Sequence, residues 1–135
     1  MIRILDIIFS WIGLILLSPF LLIISFLISI ESKGGIFYIQ ERIGKYLIPF
    51  NLYKFRSMAI NSDKSGLLTV GLNDSRITKI GFFIRKYKID EIPQLFNVLK
   101  GEMSLVGPRP EVKKYVDLYT CEQKKVLSVK PGMTD

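Results

Sequence analysis

Asp90 and Glu91 stand side by side between a cationic run, Arg85-Lys86-Tyr87-Lys88, and an apolar-periodic stretch that ends at Lys100-Gly101. Adjacent carboxylates in a cationic setting suit phosphate chemistry, as an anionic nucleophile or as ligands for a divalent metal. Ile92, Leu95, Phe96 and Leu99 fall at helical spacing. Pro93 fits only a first turn, where its missing N–H would be unpaired anyway, so a helix should begin close to Asp90. Gly101 is its stop. There the helix dipole and the nearby cations both favour the ionised carboxylate. Acidic residues also open helices for capping alone. Neighbouring helical positions point roughly 100° apart, so two carboxylates in sequence need not act as a pair. This stretch alone favours capping.

Composition narrows the chemistry. The chain has 135 residues, room for one small domain, with 19 Lys plus Arg against 12 acids and a formal net charge of +7. That excess suits an anionic partner: nucleic acid, acidic lipid or a phosphorylated substrate. There is no histidine, which removes His-based triads and His-ligated metals. Cys121 is alone, so no internal disulfide forms and a thiol nucleophile would lack a histidine partner. Acid–base and nucleophilic work falls to Asp, Glu, Lys or Tyr.

The elements that must hold the dyad begin with 24 uncharged residues, Ile7 to Ile30. That is enough to cross a hydrocarbon core of about 30 Å, and too long for the apolar part of a signal peptide. Ser18-Pro19 interrupts it, and a kink is expected because proline removes one hydrogen bond and its ring meets the carbonyl of Ile15. A spanning anchor with the basic body on the cytoplasmic face and a re-entrant helix with both ends on that face are equally compatible with the charges. Short strands are expected at 36–39 and 51–55, joined by a turn at 42–45. Residues 61–73 read as a loop. A helix capped by Asp74 or Ser75 should run to Lys86 with Ile77, Ile80, Phe83 and Ile84 on its apolar stripe. In Pro108-Arg109-Pro110 two prolines hold an arginine in rigid extended backbone, which suits presentation to a diphosphate or a stiff linker. A helix over 111–129, with Val112, Tyr115, Val116 and Tyr119 at core spacing, should end at Pro131-Gly132.

In this order, these pieces resemble the monotopic polyprenyl-phosphate phosphoglycosyl transferases, the bacterial sugar transferases. The resemblance rests on the apolar segment broken at Ser18-Pro19, on Gln40-Glu41-Arg42-Ile43-Gly44, and on Tyr53-Lys54-Phe55-Arg56-Ser57-Met58. It continues through the Asp90-Glu91-Ile92-Pro93-Gln94 stretch to Ser104, Val106-Gly107-Pro108-Arg109-Pro110 and Lys130-Pro131-Gly132-Met133-Thr134. It implies an α+β, mostly helical fold: a re-entrant helix-break-helix membrane segment over 1–33, then a small cytoplasmic domain over 34–135 with a β-hairpin and amphipathic helices. It implies a two-step transfer of a sugar-1-phosphate from a nucleotide-diphosphate sugar, usually uridine-linked, to polyprenyl (undecaprenyl) phosphate. Asp90 would form a covalent phosphosugar intermediate, and Asp90 and Glu91 would organise Mg²⁺. Arg85 and Arg109, with Lys54 and Arg56, would hold phosphate groups. Membrane lipid is then the other partner, with no role for nucleic acid, and the location is the cytoplasmic face of the bacterial inner membrane.

Family members run on past the Pro131-Gly132-Met133-Thr134 motif, so a chain truncated at its C-terminus is expected. The alternative to a transferase is a membrane-anchored fragment that acts only by binding. The catalytic reading requires a carboxylate at position 90 that is set among cations and reachable at the membrane boundary.

Overall fold

The computed structural model describes residues 1–58 and 76–134. Its first element is helix α1 (Ile2–Glu31), 30 residues long. An 18-residue window of α1 has mean hydropathy 2.6 and is only 11% buried. A core helix of that composition would be mostly covered, whereas α1 leaves most of its apolar surface exposed and is long and apolar enough to cross a membrane. The expected interruption at Ser18-Pro19 is not a break: Pro19 lies inside α1 and the helix continues on both sides. A helix absorbs one lost hydrogen bond and one displaced carbonyl by bending, without leaving helical backbone angles.

Two strands follow, β1 (Phe37–Ile43) and β2 (Pro49–Phe55), paired in a two-stranded sheet. Both extend further than the apolar runs suggested. The turn sits at a 3₁₀ turn over Lys45–Leu47, later than 42–45, with Tyr46 and Leu47 at φ 56 and 63. The Gly44 N–H donates to the Ile48 carbonyl at 2.9 Å and closes it.

Packing divides the chain into two compact units, one of Met1–Leu16, Ile39–Tyr53 and Gln94–Asp135, the other of Leu17–Tyr38 and Lys54–Pro93. Each takes a piece of α1.

In the first unit Phe50 and Leu52 of β2 pack with Val98 and Met103. Helix α3 (Gln94–Lys100) carries Val98 and the fully buried Asn97. The Asn97 amide donates to the Asn51 carbonyl and to Glu102, and its oxygen accepts from the Tyr53 N–H, so every polar group of this side chain is used. After Gly101, in the left-handed region at φ 92, comes β3 (Ser104–Val106). It pairs in parallel with β4 (Gly132–Thr134), Ser104 opposite Gly132 and Val106 opposite Thr134. A Cβ on Gly132 would lie 2.0 Å from the Gly107 nitrogen, so the pairing needs glycine there.

The long helix expected over 111–129 is replaced by α4 (Lys113–Val116), turns, and a 3₁₀ stretch over Gln123–Ser128. The Thr120 N–H donates to the Gln123 side chain and the Gln123 N–H to the Thr120 hydroxyl. This reciprocal pair starts a new turn where a longer helix would have run through.

In the second unit Ile24 and Ile28 of α1 pack with Phe55, Ile84 and Ile89. Helix α2 (Lys79–Lys86) begins at Thr78, whose hydroxyl accepts from the Gly81 N–H at 3.0 Å. The expected caps Asp74 and Ser75, and the loop over 61–73, lie outside the described residues. Ile80 and Ile84 face inward as expected, whereas Phe83 is 43% exposed and Ile77 pairs with Met58 in an isolated bridge. Glu31, the last residue of α1, accepts from the Lys79 and Ile80 N–H groups at 2.8 Å each. An anionic side chain thus covers the positive end of α2.

Candidate active site

Asp90 and Glu91 do not open a helix. They lie in a 3₁₀ turn over Ile89–Glu91, preceded by Lys88 in the left-handed region at φ 59, and α3 starts only at Gln94. Pro93 has no N–H to donate to a preceding turn, so the α-helical ladder begins one residue beyond it. The full dipole of α3 therefore does not act on the carboxylates as the spacing suggested.

Within the second unit the turn brings four of the expected groups together. The Lys54 Nζ lies 3.3 Å from Glu91 Oε1, and both side chains are about one-fifth exposed. Asp90 is 7% exposed, in the field of Lys54, Glu91 and Arg85. One Arg85 nitrogen donates to the Ser57 hydroxyl at 3.4 Å, a long bond. Ser57 was not among the expected site residues. Its place follows from Gly81, where a Cβ would fall 2.0 Å from the Ser57 carbonyl oxygen, so α2 lies directly against the end of β2.

Two expectations about Asp90 fail. The first was a charge-favouring setting. Burial is the strongest influence and pushes its carboxyl up, Glu91 adds to the rise, and Lys54 and Arg85 pull it down without reversing it. The second was an open carboxylate: Ile89, next in the chain, is seated in the core cluster and draws the turn inward.

The other candidates are placed elsewhere. Arg56 donates to the Gly35 and Phe37 carbonyls at 3.2 and 3.5 Å. Strand alternation would put Arg56 on the face of Lys54, but β2 ends at Phe55 and the alternation ends with it. Arg109 belongs to the first unit, exposed between Pro108 and the buried Pro110, at a depression that Tyr119, Val126 and Pro131 also line. Glu111 and burial raise the Tyr119 hydroxyl there, burial more strongly. Ser18 and Pro19 are exposed within α1.

A Mg²⁺ ion would find two carboxylates here, since among the described residues no three acidic, Cys or His side chains cluster. Mg²⁺ commonly takes one or two carboxylates and completes its shell with water and substrate phosphate. A divalent cation would also relieve the Asp90–Glu91 repulsion, so the donor set fits.

The family model for bacterial sugar transferases matches residues 1–135, the whole chain. The chain belongs to the bacterial sugar transferase family. A Bacillus subtilis (strain 168) relative is 49% identical over 120 residues, 89% of this chain and 67% of its own length. It is provisionally named as an undecaprenyl-phosphate N-acetylgalactosaminyl 1-phosphate transferase. An Aeromonas hydrophila UDP-N-acetylgalactosamine-undecaprenyl-phosphate N-acetylgalactosaminephosphotransferase is 47% identical over 87% of this chain. A Klebsiella pneumoniae UDP-glucose:undecaprenyl-phosphate glucose-1-phosphate transferase is 42% identical over 98%. The chain spans 28% and 29% of those two relatives. This member of the family thus carries the expected dyad in a buried, charge-crowded turn.

Sequence reasoning missed two polar anchors of α1 in the first unit. Arg3 donates through both terminal nitrogens to the Val98 and Leu99 carbonyls at the end of α3. Asp6, 5% exposed, accepts from the Ser104 hydroxyl at 2.7 Å and the Leu105 N–H at 3.2 Å. The available signal was two opposite charges three positions apart at the start of an otherwise uncharged helix.

Proposed function

We propose that this chain transfers a sugar-1-phosphate from a uridine-diphosphate sugar to undecaprenyl phosphate, through a covalent intermediate on Asp90. The observation that carries the reading is the set of charges at the turn: Asp90 beside Glu91, in the field of Lys54 and Arg85, in a chain of this family. A desolvated carboxylate with raised basicity is a better nucleophile when ionised.

In the first step an Asp90 oxygen attacks the sugar-bearing phosphorus, and the bond from that phosphorus to the bridging oxygen breaks. The nucleoside monophosphate leaves with the bridging oxygen, and the phosphosugar stays on Asp90. In the second step an oxygen of the lipid phosphate attacks the same phosphorus and Asp90 departs as a carboxylate. Transferring phosphoryl groups place charge on equatorial oxygens, so Lys54 and Arg85 stabilise both steps by position. Asp90 and Glu91 would hold Mg²⁺, which supplies further charge neutralisation. Because Asp90 is 7% exposed, attack requires its side chain to turn outward or the Lys54–Glu91 pair to part.

The family's re-entrant topology, at the cytoplasmic face of the inner membrane, is assigned to α1 on the resemblance; it requires α1 to bend sharply in the membrane at Pro19, which lies inside the continuous helix. Arg3 and Asp6 near its start, and Glu31 at its end, are each hydrogen-bonded to elements that follow the helix in sequence.

Intact-mass measurement on the purified chain, with UDP-sugar and Mg²⁺, should show one added phosphosugar, and Asp90→Asn should abolish it. A folded chain that gains no mass would refute the covalent route and leave a protein that only binds.

A further inference from the structure

We propose that the outer face of α2 rests on an anionic bilayer surface, Phe82 and Phe83 entering the headgroup–acyl boundary and Lys79 and Lys86 meeting lipid phosphates. This goes beyond insertion of α1 and rests on it.

The face is defined by helical position. At about 100° per residue, Ile80, Gly81, Ile84 and Arg85 point one way, and Lys79, Phe82, Phe83 and Lys86 point the other. Ile84 is fully buried, whereas Phe82 and Phe83 are each 43% exposed. Tyr87, one residue further, is 59% exposed and tilts against Phe83 with ring centroids 5.0 Å apart. The Lys86 Nζ lies 5.6 Å from the Tyr87 ring centroid. Two phenylalanines on the outer face of an eight-residue helix gain nothing from water. Large aromatics flanked by lysines are what membrane boundaries collect.

Two observations choose lipid as the occupant. The first is continuity: Glu31, where the apolar surface of α1 ends, accepts from the Lys79 and Ile80 N–H groups. The start of α2 is therefore tied to the place where the lipid-facing helix stops, within one unit. The second is charge: Lys79, Lys86 and Lys88 suit lipid phosphates, and a net charge of +7 adds to the attraction. The inner face of the same helix carries Arg85 beside Ser57 and in the field of Asp90. A helix held by lipid on one side would thus set Arg85 on the other.

Trp11 is the one tryptophan of the chain and lies on α1, 56% exposed, so it reports insertion of α1 separately. The full chain is reconstituted into phosphatidylglycerol-containing vesicles with lipids brominated near the top of the acyl chain. One sample keeps Trp11; the other carries Trp11→Phe with Phe82→Trp, a mild exchange at an exposed site. The expected result is loss of most emission in both samples. Adding Lys79→Glu and Lys86→Glu to the second should restore much of its emission, whereas the same pair should leave Trp11 quenched. Quenched Trp11 beside an unquenched tryptophan at 82 overturns the inference and leaves the membrane reading standing. No quenching of either removes both. Equal quenching at 82 in vesicles lacking anionic lipid overturns the charge argument.

Discussion

Two aspartates are buried to nearly the same degree, Asp6 at 5% and Asp90 at 7% exposure, and they are treated oppositely. Asp6 accepts directly from the Ser104 hydroxyl and the Leu105 N–H, which ties the start of α1 to β3. Asp90 shares its turn with a second carboxylate and meets Lys54 and Arg85 through their fields, and burial still raises its carboxyl. The first arrangement serves stability, because each donor would be orphaned without the acceptor. The second stores a cost that a stability-seeking fold would have removed. Burial alone does not distinguish the two carboxylates; the way each charge is compensated does.

That contrast can be broken or sharpened by substitution. The largest effect is expected at Asp90: Asn should remove the covalent adduct entirely while raising thermal stability by about 1 kcal/mol. The sign follows from the raised carboxyl. The folded state holds the proton more tightly than the unfolded chain, so ionisation of Asp90 costs stability above its folded pKa, and the cost disappears as pH falls below the unfolded value. The stability gap between Asp90→Asn and the native chain should therefore widen from acidic to neutral pH in melts across that range. A gap that narrowed instead would mean that the folded state favours the ionised form of Asp90.

Next is Lys54→Met. Removing the principal cation that lowers the Asp90 carboxyl should cut adduct formation roughly a hundredfold. It should also move the acidic limb of the rate profile to higher pH, a shift that mere loosening of the fold would not produce. Asp6→Ala should cost about 2–3 kcal/mol in a detergent-solubilised melt, because Ser104 and Leu105 lose their buried acceptor. Equal, small effects at positions 6 and 90 would dissolve the comparison. The smallest change is expected for Thr78→Ala, about 1 kcal/mol for a lost helix cap, read from the same melts.

Much of this architecture was legible in order along the chain. The uncharged run from Ile7 to Ile30 is helical as expected, though without the expected break at Ser18-Pro19, and the inward face of α2 at Ile80 and Ile84 followed from periodicity. The ordered motifs led to the family, and Lys54, Arg85, Asp90 and Glu91 were expected together and are found in one unit. What failed had identifiable causes. Residues 111–129 kept a helical pattern, yet Thr120 and Gln123 exchange bonds that restart the backbone. The parallel pairing of β3 with β4 joins residues 104–106 to 132–134, and no local pattern announces a partner so distant.

Residue types and their spacing determined the long apolar helix, the hairpin, the inward stripe of α2 and the identity of the acidic pair, because each depends on near neighbours in the chain. Only the tertiary structure decided the protonation balance of Asp90, the direction taken by Arg56 and the bonds that bind Arg3 and Asp6. Desolvation and field depend on what surrounds a group in three dimensions, and most of what surrounds these groups comes from residues far away in sequence.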